Sequence, residues 1–387
     1  MNKHKFPYRW TLKDAVFTKD KGKVFSCFAC GGGSTMGYKL AGFDVIGCNE
    51  IDPRMNKVYV ANHHPKFNFL QPIQEFKLRK DLPAELYQLD VLDGSPPCSS
   101  FSMAGVHGGR EKGWGVEKKF REGQAKQVLD TLFFDFIDLA KELQPKVVIA
   151  ENVEGLILGE AMKYAQKIIE AFEDAGYTTT FTLCDSRNMG VPQMRRRTFF
   201  VACRHDLIQY VPQEGLFGAP YINLDFKEPE ILWGEIYEPG NMQYPLSDFK
   251  RSMWELRQYG DLDLSVCCGR AGRNPNSNFQ DKFLYKDKVP NTVPAGDLCI
   301  PYDEPRKRSD SEIMACSSWP TDYDFGNEKV KYICGMSVPP VMMAQVATRV
   351  YEQWLSKLPS QSTPDPDTVS DHQPDSVSAS RPNSDIR

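Results

Sequence analysis

Apolar positions follow two alternating rhythms over the first half of the chain. Short apolar runs at 24–29, 43–49, 89–93, 147–150, 178–183 and 198–203 read as strands. Helical stretches lie between them, the clearest at 124–142. There Val128, Leu129, Leu132, Phe133, Phe136, Ile137 and Ala140 keep to one face. This alternation over residues 23–204 predicts an α/β fold, a doubly wound, mostly parallel, Rossmann-like sheet with helices on both faces.

From 205 to 288 the rhythm dissolves into Pro, Gly, Asn and aromatic residues. That stretch is too long for a loop inside a compact unit and reads as a second, smaller domain. A helix resumes at 341–354, with Val341, Met342, Val346, Val350 and Trp354 spaced to pack back on the sheet. The expected organisation is an N-terminal extension at 1–22, a first domain at 23–204 plus 330–358, a second at 205–288 and a connecting segment at 289–329. The tail at 359–387 is rich in Pro, Ser and Asp, lacks aromatics, and is expected to be disordered.

Composition changes this picture little. The 387 residues are 41% hydrophobic, enough for a core, and no apolar run approaches the ~18 residues of a membrane span. The start carries no apolar signal-peptide region, so a cytoplasmic, monomeric protein without a membrane partner is expected. Eleven cysteines in so long a chain do not read as a disulfide framework. Cys27 and Cys30 form a C-x-x-C without a second pair at zinc-ligand spacing, so they read as core thiols and no metal is expected. Net charge is −4, of which residues 359–387 hold −3, so the body is near neutral. Basic clusters at 77–80, 195–197 and 306–308 matter more for phosphate contact than that total.

Candidate chemistry concentrates at strand ends. Phe28, Ala29, Cys30 and Gly31 to Gly33 follow the first strand, and Glu50 closes the second. Glycines there let a nucleotide-like cofactor approach the backbone, and the carboxylate is placed for ribose hydroxyls; an ordinary strand–helix turn is the plain alternative. The pattern is not G-x-G-x-x-G, which favours a single adenosyl group over a dinucleotide and counts against a nicotinamide oxidoreductase. Pro96 and Pro97 fix the backbone before Cys98, a thiol followed by Ser99, Ser100 and Ser102. It could be a buried structural cysteine. A cysteine hydrolase would want a histidine base, and none of the six histidines has a suitable setting. The Gly-rich stretch 104–123 next to Cys98 reads as a lid, or else as a plain insertion.

Glu151 follows the apolar run 147–150; it could hold a proton near neutrality or simply satisfy a helix N-terminus. Arg195, Arg196 and Arg197 precede the run 198–203. Strand alternation puts Arg195 and Arg197 on one side, where with Gln193 they could grip a base oxygen and phosphates; otherwise the three make a solvated surface. Cysteine, carboxylate and guanidinium in this order suit a cytosine whose carbon 5 is to be made nucleophilic.

These motifs resemble, in order, those of the DNA (cytosine-5-)-methyltransferases, over about residues 25–348. The resemblance implies an S-adenosyl-L-methionine-dependent methyltransferase fold acting on double-stranded DNA, of bacterial or phage origin. It implies that Phe28, Gly32, Gly33, Glu50, Ile51, Pro97 and Leu132 bind the cofactor, and that Cys98 is the nucleophile. It implies further that Glu151 handles a proton, Arg195 and Arg197 act on the base, Gln193 and Arg195 contact DNA, and 205–288 recognises the target. Residues 291–296, 306–320 and 335–340 are similar to the closing motifs of the family. The chain departs from its pattern at Ser26, where the family carries an acid, at Cys30 for a glycine, at Gln71 with Pro72 for an acidic contact, and at Met336 for asparagine. An RNA cytosine methyltransferase and an inactive DNA-binding scaffold are the rival readings. Arg251, Arg257, Arg270, Arg273 and residues 274–278 are candidate groove contacts.

Overall fold

The computed structural model describes residues 3–97, 131–215, 218–279, 281–296 and 298–359. Cys98, the stretch 104–123, Val128, Leu129 and the tail beyond 359 lie outside the described residues.

Seven strands make one sheet in the order β3-β2-β1-β4-β5-β7-β6. They are β1 (Lys23–Cys27), β2 (Asp44–Glu50), β3 (Phe67–Leu70), β4 (Val91–Gly94), β5 (Val147–Val153), β6 (Tyr177–Asp185) and β7 (Arg196–Arg204). Strands β1 to β5 pair in parallel, while β7 runs antiparallel to both its neighbours. The doubly wound expectation is met. The strand unforeseen from the sequence is β3, an edge strand whose Phe67, Asn68, Phe69 and Leu70 alternate between half-buried and exposed, so it shows no continuous apolar run.

Side chains alternate across the sheet into two cores. Phe25, Leu92, Val148 and Ala150 enter one cluster with residues of α3 (Ile73–Phe76), α4 (Leu132–Leu143) and α5 (Met162–Asp174). Val24, Val91, Val147 and Ile149 enter the other with α1 (Gly33–Leu40) and the last long helix, Pro340–Gln353. That helix starts on Pro340, whose missing N–H costs nothing in a first turn, and buries Val341, Met342, Val346 and Val350. Each such side chain contributes roughly 1.5–3 kcal/mol by leaving water.

The boundary at 205 needs correction. Leu207, Val211, Ile222, Leu224 and Phe226 join the second core, and Trp354 Nε1 donates to the Tyr221 carbonyl at 2.8 Å. Their spacing fits no period because they pack against an existing face. The separate small core is Leu246, Met253, Leu264, Cys267, Cys268, Phe283, Tyr285 and Ile300, so it also reaches past 288 into the expected connecting segment. A third cluster joins Trp10 of the N-terminal stretch to Trp233, Trp319 and Ile333.

Candidate active site

The site forms where β1, β2, β4 and β5 leave the sheet and antiparallel β7 enters it. β1 runs into a loop with left-handed backbone at Phe28, Cys30 and Gly32. Gly32, at φ +87°, has no room for a side chain: a Cβ would lie 2.1 Å from His63 Nε2. His63 belongs to helix α2 (Pro53–His63), and its Nε2 lies 3.1 Å from the Tyr323 hydroxyl. Tyr323 in turn donates to the Gly31 carbonyl. Burial, with Lys39 beside it, drives the His63 imidazole well below its ordinary value, so it props the loop as a neutral ring.

Glu50 ends β2 and locks onto the same loop. One carboxylate oxygen accepts from the Cys30 N–H at 2.7 Å, the other from the N–H groups of Ile51 at 2.9 Å and Asp52 at 2.8 Å. Burial raises the carboxyl above its ordinary range, against those three donors. Beside it Gln71 follows β3, with its Nε2 buried and no partner among the described residues. Gly33 is equally crowded, a Cβ there meeting the Val338 carbonyl at 2.3 Å. A glycine cradle, an acid at the next strand end and an orphaned amide fit an adenosyl group. Phe28 packs on Phe136 at 6.3 Å, and Pro97 is half-buried beside the turn. Leu132 is 1% exposed and taken up by the core under the sheet, which leaves it little surface for a ligand.

Glu151 and Arg197 meet across the β5–β7 ladder, Arg197 Nε to Glu151 Oε1 at 2.9 Å. Both side chains are largely buried, and burial lowers the guanidinium from its ordinary value while Glu151 opposes that shift. Asn152 points elsewhere, its Nδ2 donating to the Pro96 carbonyl at 3.0 Å. That bond fastens β5 to the turn that leads into Cys98. Arg196 faces outward and pairs with Glu154 at 2.8 Å.

Two residues expected to touch DNA are interior. Gln193 is fully buried: its Nε2 donates to the Cys316 carbonyl at 2.9 Å and its Oε1 accepts from Val293 N–H at 3.2 Å. Arg195 is 3% exposed and donates to the carbonyls of Val293, Gly335 and Ser337 at 3.4, 3.2 and 2.9 Å. Burial pushes its guanidinium down to about 9, with Arg197 adding to the effect. Neither has a donor turned to solvent; both tie β7 to the closing motifs. Arg195 lies one residue before β7, and the alternation expected of a strand said nothing of its depth.

The candidate groove contacts separate in the same way. Arg257 lies 3.2 Å from the Trp254 ring centroid and donates to the Tyr302 carbonyl at 2.7 Å, and Arg270 forks onto Asp261 at 3.0 Å. Arg257 is spent against the small core, whereas Arg270 stays exposed with its guanidinium paired to Asp261. Arg251 and Arg273 remain on its surface, Arg273 lying 5.2 Å from the exposed Phe249 ring. Sequence reasoning missed Asp93, a carboxylate one residue from the end of buried β4, and the His63–Tyr323 prop. An acid interrupting the apolar stretch of β4 was the available signal. Among the described residues no cluster of three or more His, Cys, Asp or Glu could hold a metal ion, and no helix is long and apolar enough to cross a membrane.

A mostly parallel sheet with a glycine cradle at one strand end and a buried carboxylate–guanidinium pair at another is a frame of the nucleotide-cofactor-binding class. The sequence model of the family described as C-5 cytosine-specific DNA methylase matches residues 22–352, and the chain belongs to that family. It is 30% identical over 351 residues to the Type II methyltransferase M.Sau96I of Staphylococcus aureus, covering 86% of this chain and 76% of that one. It is 33% identical over 186 residues to M.NgoPII of Neisseria gonorrhoeae, covering 48% of this chain and 49% of the relative. The chain thus spans about half the length of M.NgoPII and, similarly, of M.FnuDI from Fusobacterium nucleatum. Among solved structures, a Spodoptera frugiperda DNMT2 shares the fold with a TM-score of 0.59 at 15% identity, over 85% of this chain and 99% of that chain.

Proposed function

We propose that this chain methylates carbon 5 of cytosine within a specific double-stranded DNA sequence, as a modification enzyme paired with a restriction enzyme or acting alone. The observation that carries the proposal is the Glu151–Arg197 pair at 2.9 Å, with Asn152 holding the Pro96 turn beside it. A carboxyl and a guanidinium side by side can hold the polar edge of one pyrimidine, while the turn delivers Cys98 to its ring.

The small unit around Leu246 to Ile300, with Arg251 and Arg273 on its surface, would hold the duplex. The target cytosine is inaccessible in the stack and must swing out into the site. The Cys98 thiolate adds to carbon 6, and Glu151 keeps a proton on the ring nitrogen, so the negative charge does not build up there. Arg197 steadies the carbonyl oxygen. Carbon 5 then carries the electron pair and attacks. Glu50, Gly32 and Gly33 would hold S-adenosyl-L-methionine, whose sulfonium would supply the electrophilic methyl group and leave as the neutral thioether S-adenosylhomocysteine. Loss of the carbon-5 proton re-forms the double bond and expels the Cys98 thiolate. Arg195 and Gln193 act as positioning residues, Arg195 tying the start of β7 to the 335–337 turn and Gln193 tying it to Val293 and Cys316.

The test is transfer of tritiated methyl from S-adenosyl-L-methionine to unmethylated genomic DNA and, separately, to RNA. Label in 5-methylcytosine of DNA is expected. Label confined to RNA, or none in either, contradicts the proposal.

A further inference from the structure

A buried carboxylate usually sits beside a cation. Asp93 is 1% exposed and, among the described residues, has two hydroxyls instead. Ser26 Oγ donates to its Oδ2 at 2.7 Å and Tyr38 Oη to its Oδ1 at 3.2 Å. Ser26 is the register partner of Asp93 in the β1–β4 ladder, and Tyr38 lies on α1, the helix that the glycine loop opens. Three side chains thereby join the exit of β1, the exit of β4 and the last turn of α1, the short helix that begins at the glycine loop. β1 leads into the cofactor loop; β4 leads through Gly94, Ser95, Pro96 and Pro97 to Cys98. Ser26 stands where the resembled family has an acid, and here the acid is one strand over.

Among the described residues, the other titratable groups facing Asp93 carry no positive charge. They are Cys27 on β1, Tyr59 on α2 and Glu151 on β5. Glu151 lies two residues past Ile149, the register partner of Asp93, and so on the same face. Lys39, next to Tyr38, is turned onto His63 at 3.2 Å.

We propose that Asp93 is a positioning residue whose charge governs cofactor affinity: as an anion it holds Ser26 and Tyr38 together and keeps the glycine loop in its binding shape, and protonation releases one of them. An anion accepts from both hydroxyls at once. A carboxylic acid must place its own hydrogen in the pair, so one hydroxyl has to turn. Burial pushes this carboxyl up to about 7, against Ser26 and Tyr38 and helped by the like charge of Glu151, so the change falls near neutrality. The inference rests on the cofactor site proposed above.

Calorimetric titration of S-adenosylhomocysteine into the full chain, from about pH 6 to about pH 8.5, tests it. Wild-type affinity is expected to fall roughly five- to tenfold toward acid, with a midpoint near the Asp93 value. Asp93→Asn flattens the profile. Tyr38→Phe removes one donor to the carboxylate and moves the midpoint to higher pH, which loss of packing alone would not do. A flat wild-type profile, an Asp93→Asn profile like wild type, or an unmoved Tyr38→Phe midpoint each overturns the proposal. If Asp93→Asn does not fold, Ser26→Ala and Tyr38→Phe decide by the same midpoint shift. Wild-type protein that binds no S-adenosylhomocysteine at any pH would overturn the cofactor site itself, and this inference with it.

Discussion

Arg197 and Glu151 face each other at 2.9 Å from adjacent antiparallel strands, a guanidinium and a carboxylate both largely withdrawn from water. Removing one partner leaves the other charged and buried without compensation. The pair is set by register: Glu151 stands opposite Phe199, and Arg197 is two residues along on the same face.

Glu151→Gln keeps the shape and removes the group that holds the proton. Turnover is expected to fall by about 10²–10⁴-fold. Affinity for S-adenosylhomocysteine should stay within about threefold of wild type, because the glycine cradle is untouched. Single-turnover methyl transfer and calorimetry together check both halves.

Arg195→Met should act on stability. The guanidinium serves three buried backbone carbonyls, and each orphaned acceptor costs roughly 1–3 kcal/mol. Denaturant unfolding should show a loss of several kcal/mol, while the salt dependence of DNA binding keeps its slope. A slope reduced by about one unit would instead return Arg195 to the phosphate backbone.

Gly32→Ala should abolish cofactor binding without unfolding the sheet. The new methyl would meet His63 Nε2 at 2.1 Å, on a backbone with φ +87°. Affinity for S-adenosylhomocysteine is expected to drop more than about tenfold. His63→Ala, by opening that space, should restore part of it to Gly32→Ala.

Asp93 also shapes stability against pH. Its folded carboxyl is pushed up to about 7 from an ordinary 3.8, so its favourable contribution is complete below about pH 4 and is lost as pH rises through about 7. Asp93→Asn should therefore gain on wild type from about pH 6 to about pH 8, by roughly 1.4 kcal/mol. Thermal unfolding at those two pH values measures the gain; an unchanged difference would mean that Asp93 does not titrate there.

Strand ends were legible in the sequence because parallel strands covered on both faces are nearly continuous apolar runs, and the motif residues sit where those runs stop. Glu50, Glu151 and Arg197 stand at such strand ends. Depth was not legible. Gln193 and Arg195 look like surface recognition residues, yet the 291–296 and 335–337 backbone closes over them from distant parts of the chain. Partners were not legible either: a basic residue does not announce the ring that takes up Arg257 or the carboxylate that pairs with the exposed Arg270. The edge strand β3 and the 207–226 segment escaped because each buries isolated side chains against structure already formed, leaving no period to read.

The most direct test of the covalent cytosine account is reaction with a duplex carrying 5-fluorocytosine at the target, in the presence of S-adenosyl-L-methionine. Fluorine cannot leave as the carbon-5 proton does, so the methylated intermediate should remain on the enzyme. A denaturation-resistant protein–DNA adduct is expected, with its peptide mapping to Cys98 and with no adduct in Cys98→Ala. Methyl transfer into DNA with no adduct, or an adduct that survives Cys98→Ala, would contradict it.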